Sequence, residues 1–154
     1  PGQFALWEQA TKQALRGKRG LRFLRELEAA LLDLPKPELI DGFARIGEDG
    51  ECQVCVLGAW ARARILREEP VSIQGHTAAT VDHLAESNDD ISDEWGVIEF
   101  GIENGLGKAL GWIVGAENDE PAISWGRETP EARYRRVLAW VRKRIAENPH
   151  ATNA

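Results

Sequence analysis

Apolar residues recur every three or four positions near both ends of the chain, and this spacing constrains the fold more than any other feature. It places the apolar side chains on one face of a helix, where they can pack against a core. We therefore expect two core helices, one over residues 21–34 and one that begins at residue 130. The second has Thr129 as its N-cap and is stopped at Asn148 and Pro149. Their stripes consist of Leu24, Leu27, Leu31 and Leu34, and of Tyr134, Val137, Val141 and Ile145.

Shorter patterns complete the expected fold. Residues 4–15, 57–65 and 106–114 have helical spacing, and Thr77 and Ser92 are candidate N-caps of two short helices. Residues 117–121 are expected to form a loop. Residues 43–46 and 51–54 flank a glycine-rich turn, which predicts a hairpin. The sequence thus predicts a mainly α protein, a compact bundle of about five or six helices with a small β-hairpin. We expect one domain over residues 1–148 and a frayed tail at 149–154.

Composition excludes several classes of protein. The chain has 154 residues, 43% hydrophobic and 29% charged, which is typical of a globular domain. No apolar run is long enough to span a bilayer, and the first residues lack the pattern of a secretory signal. Two cysteines do not make a disulfide framework. We therefore expect a cytoplasmic protein with no membrane association and no cofactor.

Charge is unevenly distributed along the chain. Residues 71–120 carry a net charge of −10, whereas residues 1–36 carry +3 and residues 121–154 carry +4. Either the basic ends pair with the acidic middle within the fold, or the middle offers an acidic face to a basic partner. Neither acidic run has the spacing of an EF-hand loop. The candidate partner-binding residues are Asp89, Asp90, Asp93 and Glu94 in one cluster and Glu117, Asp119 and Glu120 in a second.

Residues 97–110 are similar to a helix-turn-helix, with a glycine at 101 that would permit the turn between two apolar flanks. A DNA-reading helix needs basic or amide side chains, and phosphate contacts dominate affinity, so the acidic setting favours a structural role. Phosphate or nucleic acid could instead bind a basic cluster near the N-terminus. The candidates for that role are Arg16, Lys18, Arg19, Arg22 and Lys108.

A C-x-x-C motif raises the questions of metal binding and thiol chemistry. Cys52 and Cys55 have the spacing of two zinc ligands, and His76 and His83 are the nearby candidates for a second pair. The histidines are spaced more widely than zinc sites usually require. Buried cysteines that pack as small apolar residues explain the motif more simply. We therefore predict no metal site and no catalytic residue, and we lean against an enzyme.

Three sets of short stretches cover most of the chain. They are LRGKRG at 15–20 with LREL at 24–27 and LPKPELI at 34–40; CVLGA at 55–59; and ENDE at 117–120 with ETPEAR at 128–133 and WVRKRI at 140–145. Together these stretches resemble a family of small, largely uncharacterised proteins encoded by tailed phages and prophages. The chain departs from that pattern between residues 101 and 111, where extra glycines occur, and at Cys52. The resemblance implies a mainly helical cytosolic protein of an infected or lysogenic bacterium, without a known activity.

Charge and resemblance together favour a binding protein. We expect a phage or prophage accessory protein that uses an acidic surface to bind a host or phage protein with a basic surface. Inhibition of a nucleic-acid-handling or defence factor would fit, because such factors carry basic surfaces. An exposed tryptophan among the six would be a good anchor for the interface. The alternatives are a helix-turn-helix regulator that binds nucleic acid and a small metal-binding or thiol enzyme.

Overall fold

The computed structural model confirms a mainly helical fold, and the residues that it describes form seven helices and two small antiparallel hairpins. It describes residues 2–88, 91, 94–119 and 128–151. The helices are α1 (Gly2–Arg16), α2 (Lys18–Leu32), α3 (Val56–Leu66), α4 (Val81–Glu86), α5 (Glu94–Glu103), α6 (Gly107–Asp119) and α7 (Pro130–Glu147). The strands are β1 (Ala44–Ile46), β2 (Cys52–Val54), β3 (Val71–Ile73) and β4 (His76–Ala78).

The core is centred on α2 and α3. The leucine stripe of α2 is almost completely buried, as predicted, and packs against α3 and α7. An aromatic cluster joins three elements, because the Trp60 ring on α3 makes edge contacts with Phe23 of α2 at 6.1 Å and Phe100 of α5 at 5.9 Å between ring centroids. Edge contacts of this kind add to the stability that burial supplies.

Two local signals at the ends of α7 work as expected. Thr129 is the N-cap, and its hydroxyl accepts a hydrogen bond from the Ala132 amide at 3.1 Å. At the other end, Asn148 is buried and donates from Nδ2 to the backbone carbonyls of Leu15 and Gly17. The end of α7 is thereby tied to the junction of α1 and α2. Residues 149–151 continue as a turn, and residues 152–154 lie outside the described part of the chain.

The first hairpin confirms the prediction, and the second was missed. In the first, Ala44 pairs with Val54 and Ile46 with Cys52. In the second, Val71 pairs with Ala78 across a two-residue turn at Gln74 and Gly75, both with positive φ. That combination matches the type I′ turn that suits the twist of a hairpin. Thr77 therefore lies on β4, and the N-cap of α4 is Thr80, so the predicted cap at Thr77 was wrong.

The helix-turn-helix exists, but its turn is not at Gly101. The turn follows α5, with Gly105 at φ +76°, and α6 begins at Gly107. Gly101 lies inside α5 and faces Gly111 of α6. A Cβ on Gly101 would lie 2.6 Å from the Gly107 carbonyl oxygen, and one on Gly111 would lie 2.9 Å from that of Val97. The glycines at 101 and 111 thus allow the two backbones to touch.

Three further expectations concern a loop and an N-cap in the acidic half of the chain, and membrane-spanning helices. The predicted loop from residue 117 was wrong at its start, since α6 continues to Asp119. The predicted cap Ser92 lies outside the described residues. Among the helices that the structure describes, none is both long and apolar enough to cross a membrane.

Candidate functional site

In the second acidic cluster, Glu117 forms an ion pair within the fold. Glu117 lies in the last turns of α6, and Arg136 of α7 donates to its side chain at 3.2 Å and to its carbonyl oxygen at 2.6 Å. Arg136 also forms a two-bond fork with Glu128, with distances of 2.8 and 3.0 Å. Asp119 accepts a hydrogen bond from the Asn118 side chain, and Glu120 lies outside the described ranges. The ion pair between Glu117 and Arg136 connects α6 to α7. It supports the interpretation in which basic residues near the C-terminus pair with the acidic middle of the chain.

Asn118 is the central residue of this junction. It is 1% exposed, and its Oδ1 accepts from the Val56 amide at the start of α3 while its Nδ2 donates to the Ile40 carbonyl. Its own carbonyl oxygen accepts from Arg133 and Arg136. One side chain thus satisfies two backbone groups from distant segments. Buried polar groups left without partners are costly, so Asn118 holds these segments in register.

The paired hydrogen bonds between Arg136 and Glu128 shift the pKa values of both side chains. The hydrogen bond from Arg136 and the charges of Arg136 and Arg133 hold the pKa of Glu128 below its ordinary value of 4.5. The same hydrogen bond raises the pKa of Arg136. Glu128 and Arg136 are therefore both charged at neutral pH, with the carboxylate and the guanidinium group facing each other. The ion pairs of Arg136 with Glu117 and Glu128 stabilise the fold, and they leave little negative charge on these two residues for a partner.

Of the first acidic cluster, only Glu94 can be placed. Asp89, Asp90 and Asp93 lie in the parts of the chain that the structure does not describe. Glu94 is the first residue of α5 and accepts a hydrogen bond from the Trp112 indole of α6 at 2.7 Å. Its position at a helix N-terminus suits a carboxylate, because the helix dipole is positive there.

The outward face of α5 exposes two large apolar side chains to solvent. Trp95 is 67% exposed and Ile102 is 56% exposed. Ile98 lies between them and is half-buried. Spacings of three and four residues place the three side chains on one face of the helix. Phe100 is buried on the core side, so α5 has a second, apolar stripe that faces solvent.

Three carboxylates border this stripe: Glu94, Glu99 and Glu103. Glu99 accepts from the Trp95 indole at 2.8 Å, and Glu103 accepts from the two amides of the β3–β4 turn at 2.8 and 2.7 Å. These neutral donors fix the carboxylates in place without neutralising them. Among the described residues, none of the three carboxylates forms an ion pair. We call the apolar stripe with its three carboxylates the α5 face.

The two cysteines have the properties of core residues. Cys55 is buried at the N-cap of α3, where its sulfur accepts from the Gly58 amide at 3.3 Å. Burial raises the pKa of its thiol to about 12, and burial with the nearby Asp82 charge raises that of Cys52. Thiols of this kind stay protonated and unreactive at neutral pH.

The candidate metal ligands are on separate elements. Cys52 is on β2, His76 on β4 and His83 on α4. Within the described part of the chain, no group of three or more histidine, cysteine or acidic side chains could hold a metal ion.

The basic candidates come together better than the sequence could predict. Lys18 and Arg19 at the start of α2 and Lys108 at the start of α6 line one groove of about 640 Å³. Arg22 and Arg19 line a smaller adjacent cavity, to which α3 adds Arg64. Arg16 lines neither. Arg64 was not a candidate from the sequence, because its proximity depends on how α3 packs against α2.

The comparisons with known proteins give no assignment. No family model matches the chain, and no curated protein and no solved structure matches it with significance. The site must therefore be interpreted from its own geometry.

Proposed function

We propose that this protein is a binding module that engages another protein through the α5 face. The observation that carries the proposal is Trp95, which is 67% exposed on a helix whose opposite side is buried. Exposed tryptophans are costly to leave in water and are frequent anchors of protein interfaces. Ile98 and Ile102 extend the apolar stripe along the same helix.

The anchor is held in position before binding. The hydrogen bond from the Trp95 indole to Glu99, four residues along the helix, restricts the rotation of the side chain. A restricted side chain loses less entropy when a partner covers it, so more of the contact energy contributes to affinity.

The charge of the α5 face specifies the chemistry of its partner. Each carboxylate keeps free acceptor positions beyond its internal hydrogen bond, since an ionised carboxylate offers about four. A partner with an apolar pocket bordered by lysine or arginine would match both parts of the face. We infer that the partner is a nucleic-acid-handling protein of the host or phage, because such proteins have basic surfaces. The resemblance to phage and prophage proteins supports an accessory protein that inhibits such a factor.

The test is an affinity capture from nuclease-treated bacterial lysate with three forms of the protein. The wild type is compared with Trp95→Ala and with Leu32→Ala, a control in α2 that removes another large apolar side chain, 57% exposed. We expect a protein that the wild type and L32A retain and that W95A loses by at least about tenfold. Its capture should weaken when the salt concentration rises.

Two results would contradict the proposal. Equal retention by W95A would mean that the α5 face does not carry the interaction. A protein that is captured from untreated lysate but not from the nuclease-treated lysate would favour the alternative of nucleic-acid binding.

A further inference from the structure

A small basic cavity lies between α2, α3 and the turn that joins α5 to α6. Arg19, Arg22 and Arg64 line its space of about 150 Å³, together with Glu26 and Trp60. This volume is smaller than the 300–1,000 Å³ of ordinary ligand pockets but larger than the space that one water needs. The cavity therefore has the size for one chemical group of a ligand.

The charge of the cavity is positive and only partly compensated. Its lining has three positively charged guanidinium groups and one carboxylate, Glu26, which accepts a hydrogen bond from the Trp60 indole at 2.9 Å. Arg22 is exposed and forms no hydrogen bond or ion pair with the described residues. Arg19 donates one hydrogen bond, to the Gly105 carbonyl at 2.7 Å. Most of the donors of Arg19 and Arg22 are therefore free for an anion.

Arg64 adds an unsatisfied group. Its terminal nitrogens contact Glu69 at 3.3 Å and the Pro70 carbonyl at 3.5 Å, and its guanidinium lies 5.0 Å from the centre of the Trp60 ring. Its Nε is buried and has no hydrogen-bond partner within the described structure. A buried donor without an acceptor is rare and is commonly explained by a water or an ion at that place.

The cavity adjoins the larger groove, and the two share Arg19, Leu106 and Leu110. The groove is bordered by Lys18 and Lys108, and small apolar side chains of α1 and α6 form its wall. The groove has a volume of about 640 Å³ and is largely open to solvent, so it would cover one side of a ligand rather than enclose it. A polar cavity at one end and an apolar groove beside it suit a molecule with an anionic head and an apolar body.

We propose that the cavity and the groove together bind a small organic phosphate monoester. Its phosphate would lie among Arg19, Arg22 and Arg64, and its apolar body would lie along Leu106 and Leu110. A phosphate suits the cavity because its doubly charged head offers three oxygens to guanidinium groups, which bind phosphate with paired hydrogen bonds. This site is independent of the α5 face, and neither proposal requires the other.

The test is a titration with phenyl phosphate. Binding is measured by calorimetry and by NMR, from the backbone amide signals of Gly105 and Gly107. Inorganic phosphate provides the head alone and phenol the body alone. The Arg22→Gln variant removes a cavity charge that has no described partner, and Arg25→Gln is the control on an exposed arginine outside the cavity. We expect phenyl phosphate to bind at least about tenfold more tightly than either fragment, and R22Q to weaken its binding about tenfold. R25Q should leave its affinity unchanged.

Several outcomes would overturn the proposal. They are no binding of phenyl phosphate at millimolar concentration, equal affinity in the wild type and R22Q, and equal affinity for phenol. A further one is binding of a single-stranded oligonucleotide that depends on Arg22 while phenyl phosphate does not bind. That result would assign the cavity to a nucleic-acid backbone instead.

Discussion

The carboxylates at the end of α6 and those along α5 have different hydrogen-bond partners. At the end of α6, Glu117 and the nearby Glu128 meet Arg136 of α7, and their charges are matched within the structure. Along α5, Glu99 and Glu103 accept hydrogen bonds from neutral donors, and their charges remain available. The sequence gives no local sign of this difference. What decides it is whether the fold brings an arginine to the carboxylate, as at Glu117, or only neutral indole and amide donors, as at Glu99 and Glu103.

The strongest test of the comparison is Asn118→Ala. The change leaves the Val56 amide and the Ile40 carbonyl without their buried partner, and we expect a loss of about 3 kcal/mol in the free energy of unfolding. Glu99→Gln, on the α5 face, should change the same quantity by less than about 0.5 kcal/mol. Urea denaturation of both variants measures the two values. A loss below about 1 kcal/mol in N118A would show that the junction is not the part that holds α3, α6 and α7 together.

The second test uses acid. The pKa of Glu128 is lower in the folded protein than in the unfolded chain, so its ionised form stabilises the fold. That contribution is complete above the unfolded value of about 4.5 and is lost as the pH falls through the lowered folded value. We expect Glu128→Gln to cost about 1–2 kcal/mol at pH 7, and the difference from the wild type to shrink below pH 4.5.

Unfolding curves between pH 3 and pH 7 check this expectation. Glu99→Gln is the control, because its partner is the neutral Trp95 indole and it lies away from the N-terminus of α5. A difference between E128Q and the wild type that stays constant with pH would contradict the role of the charge.

The smallest expected effect on stability belongs to Trp95→Ala. The side chain is mostly in water, and alanine is a better helix former, so we expect a change within about 0.5 kcal/mol. Thermal unfolding measures it. If W95A were destabilised by more than about 1.5 kcal/mol, Trp95 would be a packing residue, and the α5 face would lose its anchor.

Features written in consecutive residues were predictable from the sequence. The N-cap at Thr129, the leucine stripe of α2 and the first hairpin depend on neighbours within a few positions, and the structure confirms them. The second hairpin also had a local signal in Gln74-Gly75 between two short strands, which was overlooked. The turn assigned to Gly101 was wrong for a different reason. A glycine in a sequence does not reveal whether it serves a turn or a close helix crossing.

The candidate site was less predictable, because burial and pairing depend on distant segments. Trp60 and Trp95 both lie in apolar stretches, yet one is 1% exposed and the other 67%. Asn118 occurs in a run of acidic residues and looked like part of a loop. Arg64 joins Arg19 and Arg22 only through the packing of α3 on α2. The spacing of Trp95, Ile98 and Ile102 could have indicated a second apolar stripe on α5.

The crossing of α5 and α6 has a consequence for how such a protein can diversify. Any side chain at Gly101 or Gly111 would collide with backbone atoms, so both positions are closed to mutation while this crossing is retained. The outward positions of α5 carry no such restriction, since Trp95 and Ile102 touch little of the fold. A lineage could therefore replace the whole outer surface of α5, and with it the target, on an unchanged scaffold. Gly101 lowers the helix propensity of α5, but it fixes the inner side of α5 against α6. The outer side of α5 can therefore change its sequence without changing the crossing.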